Sequence, residues 1–141
     1  MIRAFMPEDS ESVKDVYSRS WSFLLSILGF DAPEGLLEKN LETLSVSYVS
    51  VSGERIQGFV TVKDGLLDKL YVAPESQEKG VGSALLRHAM SLGAKRLIVD
   101  VGNHPARRLY ESHGWTVWSD VESFAEWPVL EYVLMGDGYA V

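Results

Sequence analysis

Residues 76–86 read Ser-Gln-Glu-Lys-Gly-Val-Gly-Ser-Ala-Leu-Leu, a polar turn with Gly80 and Gly82 that runs straight into an apolar run of helical spacing. Backbone N–H groups at a helix start lack intrahelical partners, and the helix dipole adds roughly half a positive charge there. Glycines, having no Cβ, let a ligand come close to that backbone. The combination suits an anion such as a phosphate. A plain tight strand-to-helix connection would use the same glycines, so the turn by itself leaves both alternatives open. Two familiar phosphate loops do not fit. A Walker-A loop has Lys and then Ser or Thr after its last glycine, whereas Ser83-Ala84 follow Gly82. A dinucleotide fingerprint needs a third glycine where Leu85 stands.

Three more side chains have types that could do chemistry. Asp68 interrupts an apolar alternation of Leu66, Leu70 and Val72. A polar residue breaking a core pattern is a candidate proton acceptor, and an edge-strand solubility charge is its plainer alternative. Tyr110 lies on the stripe Ala106, Leu109, Tyr110, His113 and by position suits a core. A phenol with an ordinary pKa near ~10 is also protonated at neutral pH and can donate a proton. Asn103 precedes Pro105 and suits a helix cap. His88, in an apolar stripe, reads as a packed histidine, and Asp100 is expected to pair with a surface cation. His104 and His113 lack the spacing of a helical metal pair, so no metal site is expected.

The elements that must position these residues follow from period and punctuation. Ile2–Phe5 forms a short strand, and Asp9 or Ser10 caps a helix with the stripe Val13, Val16, Tyr17, Leu24, Ile27, Leu28, which Gly29 stops. A second helix starts near Ala32-Pro33-Glu34-Gly35, with Pro33 in its first turn. From Val46 the period changes to two. Residues 46–51 and 55–62 flank Ser52-Gly53 as an antiparallel hairpin, and Val62-Lys63-Asp64-Gly65 turns into a third strand ended by Pro74. A helix follows the glycine turn. Residues 96–101 are a buried strand, residues 105–114 a short helix stopped by Gly114, and residues 115–120 and 130–135 two last strands around a loop with Trp127 and Pro128. There is no repeat, low-complexity tract or linker, so the expectation is one mixed α/β domain over residues 1–141.

Composition narrows the function further. A net charge of −7 and a pI of about 4.9 disfavour nucleic-acid or anionic-membrane binding and are compatible with a cationic amine. No apolar stretch reaches the ~18 residues of a membrane span, and the amino-terminal residues lack the apolar region of a signal peptide. There is no cysteine, which excludes disulfides, thiolate metal sites and a cysteine nucleophile. A cytoplasmic location is the expectation.

Gln77-Glu78-Lys79-Gly80-Val81-Gly82 resembles the Q/R-x-x-G-x-G/A motif with which the GNAT superfamily of N-acetyltransferases holds the pyrophosphate of acetyl-CoA. About 20 residues on, Asn103–Trp115 resembles the family's second signature, N-x-x-A-x-x-L-Y-E-x-x-G-F/W. The resemblance implies an α/β (α+β) fold of three layers, with a central mixed, mostly antiparallel sheet flanked by helices and one strand splayed at the CoA site. It implies that Leu70, Tyr71 and Val72 pair with pantetheine as an added strand, and that Gln77, Glu78, Lys79, Gly80, Val81, Gly82 and Ser83 supply pyrophosphate amides. Asn103 would help hold the pantetheine arm. Glu78 departs from the small residue usual at its position and is expected to face solvent.

The activity so implied is acetyl transfer from acetyl-CoA, as co-substrate, to a small-molecule or peptide amine by direct attack in a ternary complex. Tyr110 would act as acid, and Asp68 or a water chain as base. The alternatives are a non-catalytic acyl-CoA sensor of the same fold and a nucleotide-phosphate binder using the turn alone. The apolar segment 21–30 would either line the acceptor pocket through Trp21, Phe23 and Phe30 or form a homodimer interface, and Trp127 faces the same choice.

Overall fold

A computed structural model describes residues 1–121 and 128–134. Seven strands run β1 (Ile2–Ala4), β2 (Tyr48–Ser52), β3 (Arg55–Lys63), β4 (Leu66–Val72), β5 (Arg96–Asp100), β6 (Trp115–Val121) and β7 (Val129–Leu134). Four helices, α1 (Ser10–Leu28), α2 (Leu36–Glu42), α3 (Val81–Ser91) and α4 (His104–Ser112), complete it. The strands form one sheet in the order β1-β2-β3-β4-β5-β7-β6, antiparallel throughout except for the parallel pair β4–β5. This is the mixed, mostly antiparallel sheet that the resemblance implies.

Periodicity explains the two layers that flank it. Val13, Val16, Tyr17, Trp21 and Leu25 recur every three or four residues on α1 and bury against Val49, Ile56, Phe59 and Ala73 on one face. Leu85, Leu86 and Ala89 of α3 and Tyr110 of α4 pack on the other face over Val60, Leu67, Leu97, Val99, Leu130 and Tyr132. Asp64 and Gly65, with φ of 51° and 81°, make the β3–β4 turn that the Asp-Gly pair predicts.

Two boundaries differ from expectation. Asp9 precedes α1, but its carboxylate does not cap it. It accepts both prongs of Arg3, at 2.7 and 2.9 Å, and the Met6 N–H at 2.9 Å, so it ties β1 to the helix start. That fork holds Asp9 below the usual carboxylate range. Pro33 lies ahead of α2 rather than in its first turn. Its carbonyl accepts the Leu36 N–H at 3.1 Å, and Gly35, at φ 80°, opens the helix. Trp127 and the end of the last predicted strand, Met135, lie outside the described residues. Among the described residues no helix is long and apolar enough to cross a membrane.

Candidate active site

β4 and β5 start as neighbours and then part. They pair only at Leu66↔Arg96 and Leu67↔Leu97, whereas β4 stays paired with β3 as far as Val72↔Gly58. Ala73 N–H donates to the Gln57 carbonyl at 2.8 Å, which makes Val72↔Gly58 a pair without its own hydrogen bonds. By the alternation of an antiparallel ladder, the N–H and C=O groups of Val72 and Leu70 therefore point away from β3 into the gap. Those of Tyr71 face Phe59.

A β-bulge sets this arrangement. The register steps from Thr61↔Lys69 to Val62↔Leu67, leaving Asp68 without a partner residue on β3. The extra residue reverses the alternation of faces. Leu67, Leu70 and Val72 pack with the α3–α4 core and Tyr71 with the α1 core. The expected alternation that put Leu66, Asp68, Leu70 and Val72 on one face is thus overturned, because a bulge breaks the two-residue period. Asp68 is exposed, with Lys69 Nζ 3.0 Å from its carboxylate.

The chain leaves β4 through a short 3-10 turn, Pro74–Ser76, and reaches the glycines. Gly80 adopts φ 86°, a left-handed conformation in which a Cβ is strained, and α3 begins directly after it. The first helical hydrogen bond here runs from Ala84 N–H to the Gly80 carbonyl at 3.0 Å, so the amides of Val81, Gly82 and Ser83 precede it without intrahelical partners. At Gly82 a Cβ would come within 3.3 Å of Leu109 Cδ2, so its absence lets α3 begin close beside α4.

Glu78 is exposed, as expected, and carries φ 61°. In that left-handed backbone a glycine, such as the resemblance implies for this position, is free of strain. Glu78→Gly should relieve it and raise stability by about 1 kcal/mol, seen as a higher melting temperature. An unchanged or lower melting temperature would contradict the strain.

These elements enclose a cleft of about 610 Å³. Leu70, Tyr71 and Val72 line one wall, Gln77, Glu78, Gly80, Gly82 and Ser83 the turn, and Asn103 and Tyr110 the α4 side. Of the other predicted residues, Lys79 is exposed, Val81 is buried in the core, and neither these two nor Asp68 is among the lining residues. Asn103 caps α4 by accepting the Ala106 N–H at 3.3 Å and also faces the cleft.

Tyr110 is 6% exposed, with Trp115 and Tyr132 rings each at 6.2 Å. Burial pushes its pKa up, so it holds its proton across the neutral range. Among the described residues its hydroxyl has no hydrogen-bond partner. The helix behind it is braced by Arg107, which donates to the Tyr132 hydroxyl at 3.0 Å and the Val101 carbonyl at 2.8 Å.

The α1 wall consists of Ser20, Phe23, Leu24 and Ile27. Of the three aromatics expected there, only Phe23 lines the cleft. Trp21 turns into the core and stacks on Tyr17 at 6.3 Å, and Phe30 lies beyond the helix end. His88 packs edge-on against Tyr48 at 4.4 Å, as a packed histidine should.

Asp100 departs from expectation. Among the described residues it has no cation partner, it is half-buried, and burial raises its carboxyl pKa. Its charge and that of Asp68 both reach the Tyr71 hydroxyl. Among the described residues no three acidic or histidine side chains gather to hold a metal.

Sequence reasoning missed Ser20 and read Asp100 as a charge paired at the surface. Ser20 sits in the apolar stripe of α1, the same signal that drew attention to Asp68, and was open to the same inference.

Residues 44–117 match the family model for the acetyltransferase (GNAT) domain, and the chain belongs to that family. No curated protein matches it significantly. Among solved structures, it is similar to apo YjaB of Escherichia coli, with a TM-score of 0.77 and 22% identity over 96% of this chain and 97% of that one. It is also similar to the PaiA N-acetyltransferase of Thermoplasma acidophilum, solved in complex with coenzyme A, with a TM-score of 0.72 and 21% identity over 93% and 96%. The ribosomal-protein-S18-alanine N-acetyltransferase of Escherichia coli matches with a TM-score of 0.66 and 18% identity over 100% and 97%. At these identities the likeness is one of fold.

Proposed function

We propose that this chain is a single N-acetyltransferase domain that moves an acetyl group from acetyl-CoA to a primary amine. The observation that carries this is the parted edge of β4 in one cleft with the glycine turn and the buried Tyr110 hydroxyl. The N–H and C=O groups of Leu70 and the N–H of Val72, all turned away from β3, fit the amides of a pantetheine arm, and the unpartnered amides after Gly80 fit a pyrophosphate. The acetyl thioester supplies the electrophile.

The chain's residues then act on the reacting atoms. A Leu70 or Val72 amide donates to the thioester carbonyl oxygen, where charge develops. The amine nitrogen bonds to the carbonyl carbon as the carbon–sulfur bond breaks. Asp68 through water, or a water chain alone, takes the amine proton, and Tyr110 gives its own to the leaving sulfur. With no cysteine in the chain, direct attack is the simplest route.

Release of CoA thiol on mixing the protein with acetyl-CoA and a panel of primary amines tests the proposal. Amine-dependent release is expected. Saturable acetyl-CoA binding without release by any amine would favour a sensor of the same fold, a reading that the Asp68–Lys69 ion pair supports.

Asp100 makes a separate prediction about stability. Its folded pKa lies above the unfolded value of 3.8, so its ionised form costs stability that grows as pH rises through that range. Asp100→Asn should therefore raise the melting temperature at pH 7 and give no gain at a pH below 3.8. A lower melting temperature at pH 7 would show an ion pair or hydrogen bond there instead.

A further inference from the structure

Val72 ends β4, and two donors meet its carbonyl: Ser20 Oγ at 2.9 Å and Gln77 Nε2 at 3.0 Å. A peptide carbonyl has two lone pairs, so this one is fully used. Ser20 is 5% exposed on the face of α1 that overlooks the cleft. Its neighbour Arg19 donates to Glu75 at 2.6 Å. Helix α1 thus grips, at two points, the Val72–Gln77 segment that leads from the parted strand to the glycine turn.

We infer that Ser20 is a positioning residue for the acyl donor: with Gln77 it holds the Val72 carbonyl, so that Val72 meets the pantetheine arm through its N–H alone. This rests on the donor-site reading above. A free Val72 would offer a donor and an acceptor side by side, and the two amides of a pantetheine arm could engage either. Occupying the carbonyl leaves one pairing register and therefore one depth for the thioester. The same helix presents Phe23, Leu24 and Ile27 to the cleft, so the latch also fixes the apolar wall relative to the donor strand.

The test compares acetyl-CoA with 3′-phosphoadenosine 5′-diphosphate, which has the phosphates but no pantetheine arm. Dissociation constants of both are measured by calorimetry for the wild type and Ser20→Ala, and the melting temperature of the free variant is taken alongside. Ser20→Ala is expected to weaken acetyl-CoA about fivefold, the worth of a typical hydrogen bond, and to leave the nucleotide unchanged. A merely structural role would weaken both ligands in proportion, and an unchanged ratio of the two constants, or tighter acetyl-CoA binding, overturns the latch. A wild-type protein that binds neither ligand overturns the donor-site reading and the latch with it.

Discussion

Tyr110→Phe is expected to slow amine-dependent CoA release by about 100-fold or more, the usual worth of a positioned general acid, with little change in acetyl-CoA affinity. The phenol is buried, protonated and without a protein partner among the described residues, so its proton is available to the departing sulfur. Removing the hydroxyl leaves the ring and its contacts with Trp115 and Tyr132 in place. Because that hydroxyl has no protein partner among the described residues, the variant should be about as stable as the wild type. The loss should fall on kcat and kcat/KM together, the signature of an interaction made only in the transition state. An undiminished kcat would assign the proton to another donor and return Tyr110 to the core.

The second large effect is on the strand itself. A Cβ at Gly58 would lie 2.7 Å from the Tyr71 carbonyl oxygen, 3.1 Å from Leu85 Cδ1 and 3.3 Å from Val72 Cα. Two of these three atoms belong to the β4 backbone, which cannot step aside as a side chain does. Gly58→Ala therefore overpacks the β3–β4 ladder beside the donor wall, at a cost of about 2–3 kcal/mol. In a domain of this size that lowers the melting temperature by on the order of 5–10 °C. Because the displaced backbone is the Tyr71–Val72 segment, acetyl-CoA affinity should fall as well, beyond any loss explained by unfolding. A variant with wild-type melting temperature and affinity would mean that β3 and β4 can separate at this point without consequence.

Much of this was open to reading before any coordinates. Helices α1, α3 and α4 announce themselves through apolar residues three and four apart and through Gly29 and Gly114 beyond their ends. The hairpins follow from two-residue alternation and an Asp-Gly pair. Where the expectation failed, long-range geometry had intervened. A bulge at Asp68 leaves no local mark, because it is defined by the register of β3 against β4, and it alone moved Asp68 off the face of Leu70 and Val72. Asp100 was expected to find a surface cation because it alternates away from Asn103 along its strand. Which strand edges are left open is decided by the whole sheet, and this one is half-buried where β5 has parted from β4. Glu78 was noted as a departure in residue type, and only its φ shows that the departure is also one of backbone strain.

The bulge and the parting of the strands belong to one device. An extra residue at Asp68 adds local twist to β4 just where its parallel pairing with β5 stops, and the Leu70 groups and the Val72 N–H are then left without a strand partner. Buried backbone groups are rarely left unpaired, so an open strand edge beside a helix amino terminus points to an extended ligand ending in phosphates. Phe23, Leu24 and Ile27 of α1 line the same cleft, and α4 brings Tyr110 to it.

The melting temperature with saturating acetyl-CoA, beside matched ADP and ligand-free controls, tests this most directly. At 100 times its Kd a ligand adds about 2.7 kcal/mol, which is on the order of 5 °C or more in a domain of this size. A shift of that size with acetyl-CoA and little with ADP is the predicted result, since ADP lacks the arm that would pair with β4. Equal shifts with both would reduce the site to the glycine turn, and no shift with either would contradict the acyl-donor cleft altogether.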